Sequence, residues 1–125
     1  MSDSISKIYQ LRFSGHEEYR NTVWKILVKD FFSKWIRMDS AVLDLGCGYG
    51  EFINNISAND RHAMDLNPES SDRLDPNIQF HQQNCSEPWS IEENSLDLVF
   101  TSNFFEHLPS KEILSQTIQQ IHKHL

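Results

Sequence analysis

Six residues in two short stretches carry most of the chemistry this chain could do. Asp44, Gly46, Gly48, Gly50 and Glu51 crowd into VLDLGCGYGE, residues 42–51, and Asp65 follows in AMDLN, residues 63–67. An apolar run feeding a loop almost without side chains lets main-chain amides approach a ligand closely. The spacing limits what that ligand is. A phosphate-cradling loop needs GxxxxGK[ST], and no lysine follows these glycines. The dinucleotide fingerprint is GxGxxG, whereas the run here is GxGxG with Glu51 in the last glycine's place. A carboxylate at that point repels a pyrophosphate, so NAD is disfavoured and a ligand without phosphates, preferably cationic, fits better. Asp44 is either a structural acid bonding the amides of the turn or a contact for a ligand amine, direct or through water. Asp65, 21 positions after Asp44, is placed to accept both hydroxyls of a ribose, or else is a solvated loop acid. Read together, the stretches ask for adenosine without phosphates.

These residues need strands to hold them. Residues 41–45, 61–66, 78–81 and 96–100 read as short strands, the second stopped by Asn67-Pro68. Residues 51–56 (EFINNI) read as a short helix after the glycines. SGHE at 14–17 fits a capping box with Ser14 as N-cap. Val23, Trp24, Leu27, Phe31, Trp35 and Ile36 then predict one amphipathic helix, over about 14–37 with its stripe in 16–37. Ser110 caps a last helix with Leu114, Ile118, Ile121 and Leu125 along one face. Strands alternating with helical segments predict an α/β fold, a Rossmann-like doubly wound, mostly parallel sheet.

With 125 residues the chain has room for one domain. Its 38% hydrophobic and 23% charged residues suit a globular one. A net charge of −7 argues against a general nucleic-acid or anionic-membrane binder. No apolar run approaches a membrane span, and MSDSISK lacks a signal peptide's apolar core. Cys47 and Cys85 have neither metal-ligand nor disulfide-scaffold spacing, so a reducing cytoplasm is the expected location.

At this point the sequence resembles the class I S-adenosylmethionine-dependent methyltransferases. VLDLGCGYG is similar to their first motif, AMDLNP to the acidic end of their second strand, NCSEPW to their adenine-side loop and LDLVFTSNFFEHLP to their strand-four motif. The likeness runs through residues 41–125 as the donor-binding core, with the helix of about 14–37 as a lid over the donor. It implies S-adenosylmethionine as methyl donor and strand order 3-2-1-4. It also implies roles. Gly46, Cys47 and Gly48 would line the methionine end, Asp65 would hold the ribose, and Leu66 would lie against the adenine. Asn84 stands where the family often has an acid, and its amide oxygen would accept the adenine amino group. Cys85 would offer its backbone amide or apolar contact. Asn103 and Phe104 would flank the methionine end, and Tyr19 or Arg20 would reach the donor's carboxylate. His107 would be the general base for a hydroxyl acceptor, or else Glu106-His107 bonds the following loop and helix. Some relatives bind a metal through E-x-x-E-H here; the first acid is Asn103 in this chain, and no metal is expected.

The resemblance therefore implies methyl transfer to a small-molecule or saccharide- or lipid-type acceptor, with no nucleic-acid partner. Two alternatives stay open: a donor-binding module without catalysis, and a Rossmann-like NAD-binding oxidoreductase. The family sheet usually has seven strands and four are present, so the chain is expected to be the amino-terminal portion of a longer enzyme. The apolar fourth strand would then be exposed at the sheet edge and favour self-association.

Overall fold

The computed structural model describes the backbone of residues 3–125 and side chains from His16 onward. Four strands, β1 (Ala41–Leu45), β2 (Asp60–Asp65), β3 (Gln79–Gln82) and β4 (Leu98–Phe100), form one parallel sheet in the order β3-β2-β1-β4. Helix α1 (Asp3–Asp30) precedes the sheet and α2 (Lys111–His124) follows it. All five residues of β1 are buried, as a central strand covered on both faces requires. Successive side chains alternate between two cores. Val42 and Ala63 face α1 with Phe52, Ile53 and Ile56, while Leu43, Leu45 and Met64 face α2 with Trp89, Ile91 and Leu96. Among the described residues β3 and β4 are the sheet edges.

The last helix starts as expected, with Ser110 Oγ accepting from the Ile113 amide at 3.2 Å. Three expectations need correction. Helix α1 begins at Asp3, so the backbone passes helically through Ser14 instead of being capped there. Gly15 is tolerated because one glycine weakens a helix by only about 1 kcal/mol. The helix also stops at Asp30, and a 3₁₀ turn over Phe32–Trp35 replaces its expected last turns. That change of winding shifts the packed face. Trp24, Val28, Phe32 and Ile36, at four-residue steps, meet the core, while Leu27, Phe31 and Trp35 of the expected stripe are exposed. Trp24 and Phe32 pack on the stacked pair Phe52 and Phe100, whose centroids lie 3.7 Å apart.

The third correction concerns residues 51–56, which form consecutive turns and no helix. Asn55 Nδ2 donates to the Glu51 carbonyl at 2.6 Å, the acceptor that a helix would give to the Asn55 amide. The Asn54 amide keeps its helical bond to the Gly50 carbonyl, while its side chain ties the stretch to the segment before β3, donating to the Arg73 carbonyl and accepting from the Asp75 amide. An asparagine side chain competing for a backbone group is why this apolar-patterned stretch does not wind.

At the amino-terminal end of the strands, His62 Nε2 meets Asp60 Oδ1 at 2.8 Å and its Nδ1 meets His81 Nε2 at 3.0 Å. His81 Nδ1 lies 2.8 Å from Ser90 Oγ. With both rings neutral the protons run one way, from Ser90 to His81 to His62 to Asp60. Burial, and then His62, hold His81 below the ordinary imidazole value. This chain ties β2 and β3 to the loop after β3, on the side of the sheet away from the glycines.

Candidate functional site

The sheet's winding reverses between β1 and β4, and beyond the carboxyl ends of those strands lies the place where such sheets hold ligands. The glycine turn builds it. Gly46, Gly48 and Gly50 all have positive φ, +71°, +54° and +77°. The Gly46 and Cys47 amides both bond the Met64 carbonyl, which pins the loop to the end of β2. Gly48 donates to Asp65 Oδ2 at 3.0 Å, and Asp65 Oδ1 accepts from Asn67 at 2.9 Å. Asn103, just past β4, also adopts a left-handed φ of 54°. Asparagine tolerates that conformation, and it recurs where ligands bind.

Two clefts open around this turn. The first, about 290 Å³, is lined by Arg20, Asp44, Gly46, Cys47, Gly48 and Asn103, together with Tyr49 and Glu51. The second, about 320 Å³ and more apolar, is lined by Asp65, Leu66, Asn84, Cys85, Phe104 and His107. They adjoin at the Gly46–Gly48 turn, where the Phe104 ring lies directly against Gly46.

Helix α1 crosses the first cleft and is fastened to it. Arg73 pairs with Glu17 at 3.1 Å and lies over the Tyr49 ring, which Arg20 also approaches. Asn55 donates to Asn21 at 2.9 Å. Arg20 Nε comes within 3.0 Å of Glu51 Oε1, but no hydrogen bond from it is aligned there. Its Nε and Nη2 are buried without hydrogen-bond partners. Arg20 thus lines the cleft with its guanidinium ion-paired to Glu51. Tyr19 does not: it is 71% exposed and outside both clefts.

Asp44 is 4% exposed on the floor of the first cleft. Burial first, and then the charge of Glu51, push its carboxyl from the ordinary 3.8 up to about 8, with Asp65 adding to them and a bond from Ile53 opposing. Asp44 is therefore mostly protonated at neutral pH. A raised acid stabilises the fold fully below its unfolded value, and that contribution is lost as pH rises through about 8. Asp44→Asn, which cannot ionise, should gain stability relative to the wild type as pH rises from about 4 to 8. Urea unfolding at both ends of that window measures it; parallel curves would rule out a buried neutral acid here.

Neither cysteine is an accessible nucleophile. Burial, with Asp44 and Asp65 beside it, pushes the Cys47 thiol far up. Cys85 is buried with its Sγ 3.4 Å from Thr117 Oγ1. His107 is exposed at the rim of the second cleft, 3.7 Å from Glu106, on the side of Leu66 and Asn84 and away from Asp44. Asn84 departs from what its amide oxygen was expected to do. Oδ1 accepts from both the amide and the hydroxyl of Ser86, at 3.0 and 2.8 Å, which commits it to the loop. Among the described residues no three His, Cys, Asp or Glu side chains are placed to hold a metal ion. No helix among them is long and apolar enough to cross a membrane. Tyr49 and Trp24 were not singled out for the site; Tyr49 was findable as the large side chain inside the glycine run.

A parallel sheet ordered 3-2-1-4, with a glycine turn and acidic strand ends at its switch point, defines a Rossmann-like α/β fold of the class I methyltransferase type. Residues 16–125 match the model of a family described as a methyltransferase domain, and the chain belongs to that family. Solved structures agree. A SAM-dependent methyltransferase from Archaeoglobus fulgidus superposes with a TM-score of 0.69 at 23% identity, over 91% of this chain and 53% of that one. DesVI of Streptomyces venezuelae gives 0.70 at 17%, over 100% and 54%. Phosphoethanolamine N-methyltransferase 1 of Haemonchus contortus, solved with phosphoethanolamine and S-adenosylhomocysteine, gives 0.69 at 19%, over 86% and 24%. The chain thus spans about half the length of the first two and about a quarter of the third. At these identities the likeness is one of fold. No curated protein matches the chain in sequence.

Proposed function

We propose that the paired clefts bind S-adenosylmethionine and that the chain serves a methyltransferase acting on a small-molecule or saccharide- or lipid-type acceptor. The observation that carries this reading is the junction at Gly48 and Asp65, where an apolar cleft and a charged one share one turn. The ribose would sit at that junction on Asp65, and the adenine in the second cleft against Leu66 and Phe104. The methionine end would lie in the first cleft, its carboxylate beside the Arg20 guanidinium. Glu51 supplies the negative charge that suits a cation, and Asp44 beside it offers a neutral, buried carboxyl.

When bound, the donor supplies an electrophilic methyl group on a sulfonium, which leaves without needing a proton. The chain's own part is then positioning more than acid–base work. Gly46 and Gly48 keep the turn bare, Arg20 orients the amino-acid end, and Trp24 and Phe100 wall the first cleft. NAD fits less well, because Glu51 stands in the cleft where a pyrophosphate would have to lie.

Titration calorimetry with S-adenosylhomocysteine, adenosine and NAD tests the reading. Binding of the first two, with NAD weaker by about ten-fold or more, is the expected result. NAD binding as tightly as S-adenosylhomocysteine would overturn it.

A further inference from the structure

The loop after β3 spends the acceptors of Gln83, Asn84 and Cys85 on itself. Asn84 Oδ1 holds both Ser86 donors, and the Asn84 carbonyl accepts from Gln83 Nε2 and the Glu87 amide. The Cys85 carbonyl takes the Trp89 indole at 2.8 Å. Gln83 Oε1 is taken by the Ser90 amide at 3.1 Å. Because the Ser86 amide is a donor, it fixes which end of the Asn84 side chain is oxygen. The free end is Nδ2, and among the described residues it makes no hydrogen bond. Asn84 itself lines the second cleft.

We infer that Asn84 reads the purine as a hydrogen-bond acceptor, through Nδ2 to a ring nitrogen, and that the exocyclic amino group goes unread by this loop. The inference rests on the placement of the adenine in the second cleft proposed above. A family acid at this position would accept a hydrogen bond from the base; here the polarity is reversed, because Ser86 has taken the oxygen. Most of the remaining wall is apolar, supplied by Leu66, Phe104, Leu108 and Ile113, with Asp65, Gln83 and His107 as its other polar side chains. Selectivity then comes from stacking and one donated bond.

The sign of one isosteric change decides the matter. Asn84→Asp keeps an oxygen for the Ser86 donors and replaces Nδ2 with a second acceptor, which would face the ring nitrogen's lone pair. Affinity for adenosine, a probe without net charge, should fall about ten-fold or more. Affinity equal to or tighter than wild type would overturn the inference and restore recognition of the amino group. A second measurement uses the unaltered protein. Purine riboside, which lacks the 6-amino group but keeps every ring nitrogen, should bind within about three-fold of adenosine. A loss beyond about ten-fold, the penalty for leaving a dedicated acceptor unpaired, would also overturn it. If wild type binds neither adenosine nor S-adenosylhomocysteine, the donor reading falls and takes this inference with it.

Discussion

Gly46→Ala should destabilise the fold by about 2–4 kcal/mol and remove S-adenosylhomocysteine binding. Two effects add. Gly46 has φ +71°. Holding alanine in that left-handed region costs about 1–2 kcal/mol. A Cβ built there also clashes with the Phe104 ring, against Cγ and Cδ1. The ring cannot yield cheaply, since Phe104 packs on the α2-side core and bounds the second cleft. Driving it outward forfeits part of the roughly 1.5–3 kcal/mol gained by burying such a side chain. Gly48 is the internal control. Its φ is +54°, yet nothing lies within 4 Å of a Cβ built there. Gly48→Ala should therefore show only the conformational cost, about 1–2 kcal/mol, with its methyl group projecting into open space beside the turn. Urea unfolding of both variants separates the effects. Equal losses would mean that Phe104 does not depend on a bare Gly46.

The contrast shows what the sequence could and could not reveal. GxGxG announced a turn needing three bare positions, and all three have positive φ. Which of them is packed by protein and which opens on the cleft depends on Phe104 at Gly46, nearly sixty residues away, and on Leu74 and Asn54 at Gly50. β1 and β4 were legible as short apolar runs closed by turns, and all four strands fall within about two residues of where they were expected. The order 3-2-1-4 followed from the family likeness. Helix phase was the weak point. Every aromatic from Trp24 to Trp35 fits some helical stripe, and only the 3₁₀ turn at 32–35 decides that Phe32, and not Phe31, faces the sheet.

Polar side chains were legible by type and not by commitment. Asn54, Asn55 and Asn84 each spend an oxygen or an amide on nearby backbone. At Asn55 this takes the acceptor of an expected helix; at Asn84 it takes the oxygen expected to meet a ligand. Tyr19 and Arg20 are neighbours on α1, about 100° apart around its axis. Arg20 therefore turns into the cleft while Tyr19 turns to solvent, a distinction that needed the helix's rotation over the sheet. His107 was expected from its motif as a general base, and the 3₁₀ turn Phe105–His107 sets it at the rim of the second cleft.

Asp65 joins the two halves of the site, and its removal should be read in binding and not in stability. Its two oxygens accept from Gly48 and Asn67, leaving further lone pairs for the hydroxyls of a ribose. Both amides lie near the surface, where water can replace the carboxylate, so Asp65→Ala should unfold within about 1 kcal/mol of wild type. Ligand hydroxyls held between the clefts have no such substitute. Losing their acceptor should weaken S-adenosylhomocysteine and adenosine by about 1–3 kcal/mol, on the order of 5- to 150-fold. A second signature separates lost contact from a loosened glycine turn. Wild type should prefer adenosine to 2′-deoxyadenosine or 3′-deoxyadenosine, and Asp65→Ala should treat the three nearly alike. If the variant binds more weakly but keeps the wild-type preference for both hydroxyls, Asp65 acts only by holding Gly48. If it binds as wild type does, the ribose lies elsewhere and the junction of the two clefts is a packing feature.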